Sequence, residues 1–253
     1  MDKMLYIAMS GAKENFHGIA IHGNNLANAS TTGFKADLEQ ARAMEVLGDG
    51  HRSRVFSMTE RPGYNLEAGA LTTTGRDLDI AVNGEGYIAV TDSNGNEAYT
   101  RNGSLNIDVD GILRTDRGQA VLDQNGAEIV LPIPLRAVSI NADGVISGTP
   151  EGAEANVVEE FGQIKLVTIP RENVEKGTDG LFRNKDKLTG RYLDPGINKF
   201  VQLKSGALEN SNVNVVGEMT NLIRLQRQFD MHMKMMETAK EMDESQTMLL
   251  RMQ

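Results

Sequence analysis

Three groups of residues have types and spacings that could support chemistry, and the first is a glycine-rich segment. Residues 84–89 (GEGYIA) match G-x-G-x-x-G/A, the phosphate-binding fingerprint of dinucleotide enzymes. That fingerprint requires a helix to begin within the motif, because the helix N-terminus holds the pyrophosphate. Residues 87–91 (YIAVT) instead predict a strand, and Asn83-Gly84 predicts a turn. We therefore expect no cofactor to bind at this segment.

Histidines form the second group. His17 and His22 are five residues apart, so they do not share a helix face in the i, i+4 manner of zinc-binding helices. His51 lies in a polar stretch, and His232 is far from the others in sequence. We interpret all four as solvated or interface histidines and expect no metal site.

Paired aspartates form the third group. Asp77 and Asp79, like Asp108 and Asp110, are two residues apart, which places each pair on one face of a strand. A glycosidase needs one carboxyl group of raised pKa in a cleft, and nothing near these residues indicates a cleft. We interpret them as solvated strand faces. The sequence also contains no G-x-S-x-G, H-E-x-x-H or P-loop motif, so we do not expect an enzyme.

The elements that position these residues differ between the ends and the middle of the chain. Residues 3–28 and about 214–251 carry apolar residues at steps of three and four, which predicts two long amphipathic helices with a narrow, heptad-like stripe. A stripe of this kind needs a partner. The two helices can cover each other as a coiled-coil-like core, or they can cover other copies of the chain.

The middle of the chain predicts β-hairpins. Residues 77–82 largely alternate polar and apolar side chains, as a half-buried strand does. Asn-Gly or Asp-Gly turn dipeptides follow at residues 83–84, 94–95, 102–103, 110–111, 125–126 and 143–144. The expected fold is therefore α+β, with an all-β domain inserted between the helices. The predicted domains are a helix at 1–33, an arm with at most one hairpin at 34–75, the β domain at 76–205 and a helix at 206–253.

Composition excludes several classes of protein. The chain has 253 residues, 26 basic and 35 acidic, for a formal net charge of −9. This charge argues against nucleic acid and against an anionic membrane surface as partners. There is no cysteine, so disulfides and thiolate metal sites are impossible. The N-terminus does not fit a Sec-type signal peptide, and no window is long and apolar enough to span a bilayer.

Three segments together resemble one family, the bacterial flagellar rod and hook proteins. They are residues 24–35 (NNLANASTTGFK), residues 99–105 (YTRNGSL) and residues 211–215 (SNVNV) followed by the long helix. Leu105 stands where the family usually has Phe. Each segment alone is moderately specific, whereas the three in this order are strongly specific and extend the resemblance over nearly the whole chain. Residues 1–6 and 227–234 resemble the proximal-rod members, with the distal-rod members as the close alternative.

The resemblance implies a structural role. Members of the family are exported unfolded through the flagellar type III apparatus without a cleaved signal peptide, and they stack helically in the periplasm as part of the drive shaft. Their terminal helices form the inner tube. The implied partners are other copies, neighbouring rod proteins and the export apparatus, with no cofactor, metal, nucleic acid, membrane insertion or small-molecule ligand. A second hypothesis is a secreted β-domain enzyme or glycan-binding protein whose helical ends pack on its own β domain, which predicts a concave polar site.

The predicted assembly interface combines the helical stripes with the terminal signature residues. Its N-terminal part is Leu5, Met9, Ala12, Phe16, Ile19, Asn24, Asn25, Leu26, Ala27, Asn28, Gly33 and Phe34. Its C-terminal part is Ser211, Asn212, Val213, Asn214, Val215, Met219, Leu222, Phe229, Met233 and Met236. Asparagines in the first part could fix the register of a neighbouring chain by bonding its backbone.

Overall fold

The computed structural model describes residues 2–45, 55–60, 63–151 and 158–251. It contains two long helices, α1 (Asp2–Ala27) and α2 (Val215–Arg251), with hairpins of antiparallel strands between them. The predicted α+β fold is confirmed, and both helices end within a few residues of their predicted bounds. His51 lies outside the described residues.

Sixteen strands lie between the helices in the described ranges. They are β1 (Gln40–Glu45), β2 (Val55–Glu60), β3 (Leu71–Thr73), β4 (Ile80–Asn83), β5 (Tyr87–Thr91), β6 (Glu97–Thr100), β7 (Leu105–Ile107), β8 (Leu113–Thr115), β9 (Leu135–Ile140), β10 (Val145–Pro150), β11 (Glu159–Gln163), β12 (Leu166–Val167), β13 (Val174–Lys176), β14 (Phe182–Asn184), β15 (Gln202–Ser205) and β16 (Ala207–Glu209). A short 3₁₀ helix spans Arg171–Asn173. The strands form a five-stranded sheet in the order β12-β5-β6-β14-β13, a three-stranded sheet β11-β10-β9 and several pairs.

The chain divides into two compact units. The helix unit consists of Met1–Ala29, Ala36–Asn65 and Val213–Gln253, and the β unit consists of Ser30–Lys35 and Leu66–Asn212. Each unit is built from segments that are separated in sequence. This division therefore differs in kind from the four consecutive domains expected from the sequence, and those domain bounds stay predictions.

In the helix unit, α1 and α2 pack against each other in opposite directions. A Cβ atom added to Gly11 would lie 2.6 Å from the His232 ring, and one added to Gly18 would lie 3.0 Å from Leu225. The face of α1 that is buried carries small side chains such as Ala8 and Ala12. Small residues let two helix backbones approach closely, so this contact is built on glycine and alanine rather than on large apolar side chains.

The hairpin β1–β2 joins this unit. Thr59 of β2 donates from its amide to Glu14 Oε2 at 2.7 Å and from its hydroxyl to the Glu14 carbonyl at 3.3 Å. The predicted arm therefore contains one hairpin, which is held to α1 by hydrogen bonds to a single glutamate.

Among the large apolar side chains of α2 whose burial the structure describes, Leu225 is the most completely buried, being only 5% exposed. We expect Leu225→Ala to lower the free energy of unfolding of the helix unit by about 2–4 kcal/mol, because it leaves a cavity opposite Gly18. Urea unfolding followed by helical circular dichroism measures this. Ile223→Ala is the matched control, since Ile223 is 56% exposed on the same helix, and its cost is expected to stay below about 1 kcal/mol. Equal costs for the two variants would contradict the packing described.

The β unit is held by two groups of buried apolar side chains. The larger joins the strands of the central sheet to β7, β8 and β10 through residues such as Ile80, Ile88, Leu105 and Leu113. The smaller lies around Tyr87 and Phe182, whose ring centroids are 5.2 Å apart. These two groups fix the positions of the loops between the strands.

The turn dipeptides mostly behave as predicted. Five of the six place their glycine at φ of about +80°, namely Gly84, Gly95, Gly111, Gly126 and Gly144. The sixth prediction is wrong, because Gly103 does not have a positive φ and instead lies against the backbone of Ile80. The interpretation of Asp79 as solvated is also wrong. It is 5% exposed, and its amide donates to the Arg76 carbonyl at 3.0 Å.

Candidate assembly surface

The helix unit exposes many large apolar side chains. On α1, Phe16 is 63% exposed, and Leu5, Tyr6 and Met9 are exposed as well. On α2 the exposed set is Val215, Val216, Met219, Ile223, Met231, Met233, Met235, Met242 and Met248. Large exposed apolar patches on a soluble protein mark sites of interaction, so these side chains make the helix unit the candidate assembly surface.

The structure places the predicted interface residues in three groups. The exposed residues are Leu5, Met9, Phe16, Asn24, Ala27, Asn214, Val215, Met219 and Met233. The half-buried residues are Ile19, Leu26, Asn28, Ser211, Asn212, Val213, Leu222, Phe229 and Met236. The buried residues are Ala12, Asn25, Gly33 and Phe34. Only the first group is fully available to a neighbouring molecule, and the last group serves the folded chain itself.

Asn25 shows what a buried signature residue does. It is 1% exposed, its side-chain Nδ2 donates to the Asp37 carbonyl at 2.9 Å, and its Oδ1 accepts from the Asp37 amide at 2.9 Å. The same Nδ2 lies 3.3 Å from Glu218 Oε1 on α2. The amide therefore ties α1 to α2 and to the segment before the hairpin within one chain.

His22 lies beside this asparagine and makes a second connection. Its Nε2 is 2.9 Å from Glu39 Oε2, and its Nδ1 is hydrogen-bonded to Glu218 Oε2. A neutral imidazole has only one N–H, so both contacts are hydrogen bonds only if the ring or one carboxyl group carries an extra proton. Our interpretation of His22 as solvated or as an interface residue is corrected, because it is buried inside the helix unit.

In the β unit, side chains from the first two signature segments meet at a carboxylate that lies just before the third. Glu209 is 1% exposed, and its Oε1 accepts from Lys35 Nζ at 2.5 Å and from the Gly69 amide at 2.9 Å. Its Oε2 accepts from Arg101 Nη1 at 2.8 Å. Lys35 closes the first signature segment, Arg101 is in the second, and Glu209 comes just before the third. We call these three side chains the Glu209 cluster.

Backbone hydrogen bonds reinforce the Glu209 cluster. The Gly33 amide donates to the Glu209 carbonyl at 2.7 Å, and the Asn212 amide donates to the Phe34 carbonyl at 3.4 Å. Lys35 Nζ also donates to the Glu67 carbonyl at 2.7 Å. Residues 30–35, 66–69 and 209–212 are therefore joined to one another, and each is continuous in sequence with a segment of the helix unit.

The glycine-rich segment has a role in the same cluster. Arg101 Nε donates to the Gly86 carbonyl at 3.0 Å, and Arg101 Nη2 donates to the Gly84 carbonyl. A Cβ atom on Gly86 would lie 2.6 Å from Val201. Residues 87–91 form β5, as predicted, so the segment turns between strands and accepts hydrogen bonds from an arginine.

Burial dominates the electrostatics of the cluster. It lowers the pKa of Lys35, and the nearby charge of Arg101 acts in the same direction, whereas the hydrogen bond to Glu209 and its charge oppose this shift. Burial also raises the pKa of Tyr87 to about 12, and the Arg101 guanidinium lies 5.6 Å from the centroid of the Tyr87 ring. Two buried cations thus depend on one carboxylate.

The sequence motifs contain Lys35 and Arg101 but not Glu209. Its burial beside Ala207 in β16 follows from the pairing of β16 with β3, which the sequence analysis does not predict. A charged residue at such a position needs a buried partner, and two lysine- or arginine-bearing motifs were already known.

The part of the chain that the structure describes contains neither a candidate metal site nor a candidate membrane span. No group of three or more His, Cys, Asp or Glu side chains in the described ranges could hold a metal ion. Neither of the two described helices is long and apolar enough to cross a membrane.

The comparisons with protein families agree with the positions of these features. Residues 5–35 match the family described as flagella basal body rod protein. Residues 81–148 match the flagellar hook protein FlgE/F/G D1 domain, and residues 204–248 match the C-terminal region of the flagellar basal body rod FlgEFG proteins. The three matches contain Lys35, Arg101 and Glu209 respectively.

Individual relatives cover almost the whole chain. The flagellar basal-body rod protein FlgF of Escherichia coli (strain K12) is 38% identical over 240 residues, which is 92% of each chain. FlgF of Salmonella typhimurium is 35% identical over 253 residues and covers all of both chains. FlgG of Bacillus subtilis (strain 168) is 32% identical over 258 residues, covering 95% of this chain and 96% of the relative. With this identity over its full length, the chain belongs to the family of flagellar basal-body rod proteins.

Proposed function

We propose that this protein is a structural subunit of the flagellar basal-body rod, which assembles through the exposed apolar faces of α1 and α2. Family membership supports a structural and non-enzymatic role. The observation that carries the proposal for assembly is the apolar surface of the helix unit, with Phe16 at 63% and Met219 at 51% exposed. Burying such side chains against neighbours contributes roughly 1.5–3 kcal/mol each when burial is complete.

The finer assignments are part of the same proposal. Other copies of the chain and neighbouring rod proteins are the partners that would cover these faces. Membership of the rod-protein family is the ground on which we propose export through the flagellar type III apparatus without a cleaved signal peptide and a place in the periplasm. The proposed proximal position is supported by the greater identity to the two FlgF relatives than to the FlgG relative reported above. None of those relatives points to an enzyme or a glycan-binding protein, so we do not carry that alternative further.

Removal of α2 tests the proposal. In a strain lacking the native gene, the full chain is expected to restore motility, whereas a chain lacking residues 215–251 should fail to form rods. Motility and electron microscopy of isolated basal bodies are the measurements. A tag on the full chain should appear at the base of the rod, and a tag near its far end would favour the distal alternative. Normal rods built from the truncated chain would contradict assembly through the helices.

A further inference from the structure

The C-terminal end of α2 extends past α1. The contacts of Gly11 with His232 and of Gly18 with Leu225 define one register for the two antiparallel helices. That register places Asp2, the first residue of α1, opposite about residue 241 of α2. Because α2 continues to Arg251, its last ten or so residues, about 15 Å of helix, have no residue of α1 beside them.

A groove begins beside the first turns of α1 and continues onto the end of α2 that extends past it. Its volume is about 1210 Å³, and its apolar lining includes Met233, Met236, Ala239 and Met248 of α2 together with Leu5 of α1. Four acidic residues and two basic residues also line it, namely Asp230, Glu237, Asp243 and Glu244 against Lys234 and Lys240. The groove is thus an apolar strip with an excess of negative charge.

The first half of α2 has the complementary character. Val216, Met219 and Ile223 are exposed there, and the adjacent side chains of Arg224 and Arg227 are exposed as well. Within residues 215–227 of this half the one acidic residue is Glu218, which is already bonded to His22 and Asn25. This half is therefore an apolar strip with positive charge, and the helix dipole adds to the positive potential at its N-terminus.

We propose that the first half of α2 of one copy docks in the groove at the end of α2 of a second copy. This inference rests on the proposed function and names the contact through which copies join. The segment fits within the groove, since residues 215–227 correspond to about 20 Å of helix and the groove between Asp230 and Met248 to about 27 Å. The two surfaces are different patches, so the contact is head-to-tail. Such a contact continues from copy to copy instead of closing as a symmetric dimer.

Charge reversal with rescue tests this pairing. The full chain, Arg224→Glu with Arg227→Glu, Asp243→Arg with Glu244→Arg, and the chain with all four changes are compared by sedimentation velocity over a range of concentrations. We expect each reversal alone to weaken self-association at least about 10-fold, and the fourfold variant to recover most of it. All four positions are exposed, so the helical circular dichroism of the variants should match that of the unaltered chain.

Disulfide trapping locates the contact, because the chain has no cysteine of its own. Arg224→Cys with Asp243→Cys places two thiols on one helix about 29 Å apart, far beyond the reach of a disulfide within one molecule. We expect mild oxidation to yield covalent dimers and longer species. Arg224→Cys with Thr238→Cys is the control, since Thr238 is exposed on α2 but does not line the groove. This control should yield several-fold less disulfide-linked dimer.

The outcomes separate the two proposals. If the full chain associates and the reversals leave association unchanged, or if the fourfold variant does not recover it, the head-to-tail contact is overturned while the rod function stands. If the full chain stays monomeric but still builds rods in cells, the groove accepts a different rod protein and the contact between copies is again overturned. If the full chain builds no rods, the proposed function itself fails.

Discussion

Glu209→Gln is expected to lower the free energy of unfolding of the β unit by about 3–5 kcal/mol, the usual cost of removing one partner of a buried ion pair. The carboxylate is 1% exposed, and it is the shared acceptor of Lys35 Nζ and Arg101 Nη1. Glutamine keeps the shape but removes the charge, so two buried cations lose their counter-ion. Urea unfolding monitored by tyrosine fluorescence measures the change.

Two control variants test whether the burial of the charges causes this loss of stability. Glu85→Gln removes an ion pair of similar geometry, with Arg171 Nη2 at 2.6 Å, but both of its side chains are about 70% exposed. Its cost should stay below about 1 kcal/mol. Lys35→Met combined with Glu209→Gln removes one of the uncompensated cations, so the double variant should be more stable than Glu209→Gln alone. If Glu209→Gln costs no more than Glu85→Gln, the cluster does not stabilise the unit.

Gly103→Ala is expected to destabilise the β unit by about 3 kcal/mol or more, because it forces two backbone segments apart. A Cβ atom at this position would lie 1.7 Å from the Ile80 carbonyl oxygen, and the Ile80 amide donates to the Gly103 carbonyl at 2.9 Å. The backbone of Ile80 cannot move without disturbing a side chain at the centre of the buried core. The shift in the urea midpoint gives the size of the effect.

Gly95→Ala is the matched control for this substitution. Gly95 has φ of +80° in an exposed turn, and a Cβ atom there would meet nothing within 4 Å. Alanine at this position is expected to cost about 1 kcal/mol, through backbone strain alone. A Gly103→Ala variant as stable as Gly95→Ala would show that Ile80 and Gly103 are not in contact in the folded protein.

The helices and the hairpin turns could be predicted from the sequence because their signals are local. The apolar steps of three and four gave α1 and α2, and five turn dipeptides place glycine at positive φ. The prediction for the Asn102-Gly103 dipeptide failed because Gly103 allows close backbone approach to Ile80, a residue 23 positions earlier in the sequence. Glycine has both uses, and local sequence does not separate them.

The face of α1 that packs on α2 could not be predicted from hydrophobicity. The largest side chains of the predicted stripe, such as Met9 and Phe16, are exposed, whereas its Ala12 is buried and the face toward α2 carries Gly11, Gly18 and His22. Small residues and a paired histidine have little apolar character, so they do not stand out in a search for apolar periodicity. The largest apolar side chains of α1 therefore lie on the surface that α2 does not cover, and this is where we expect the assembly interface.

The Glu209 cluster depends on pairing between distant parts of the chain. Lys35 and Glu209 are 174 residues apart, and Arg101 and Glu209 are 108 residues apart. Their association requires β3 and β16 to pair and the Gly33 amide to bond the Glu209 carbonyl. Sequence patterns indicate which residues form motifs, but only the tertiary arrangement brings two of those motifs to the carboxylate of Glu209.

The claim that the exposed apolar faces of α1 and α2 form the assembly surface is tested most directly with a chain that carries Phe16→Glu and Met219→Glu. Two quantities are measured for this variant: its ability to form rods in cells, and the free energy of unfolding of the purified protein. Because both side chains are more than half exposed, the two changes should leave the free energy of unfolding within about 1 kcal/mol of the original. Leu188→Glu, at a position 96% exposed in the β unit, serves as the control and should form rods normally. We expect the Phe16→Glu, Met219→Glu variant to fold normally but to build no rods. Full motility and intact rods from that variant would show that the apolar helix faces are not the assembly surface.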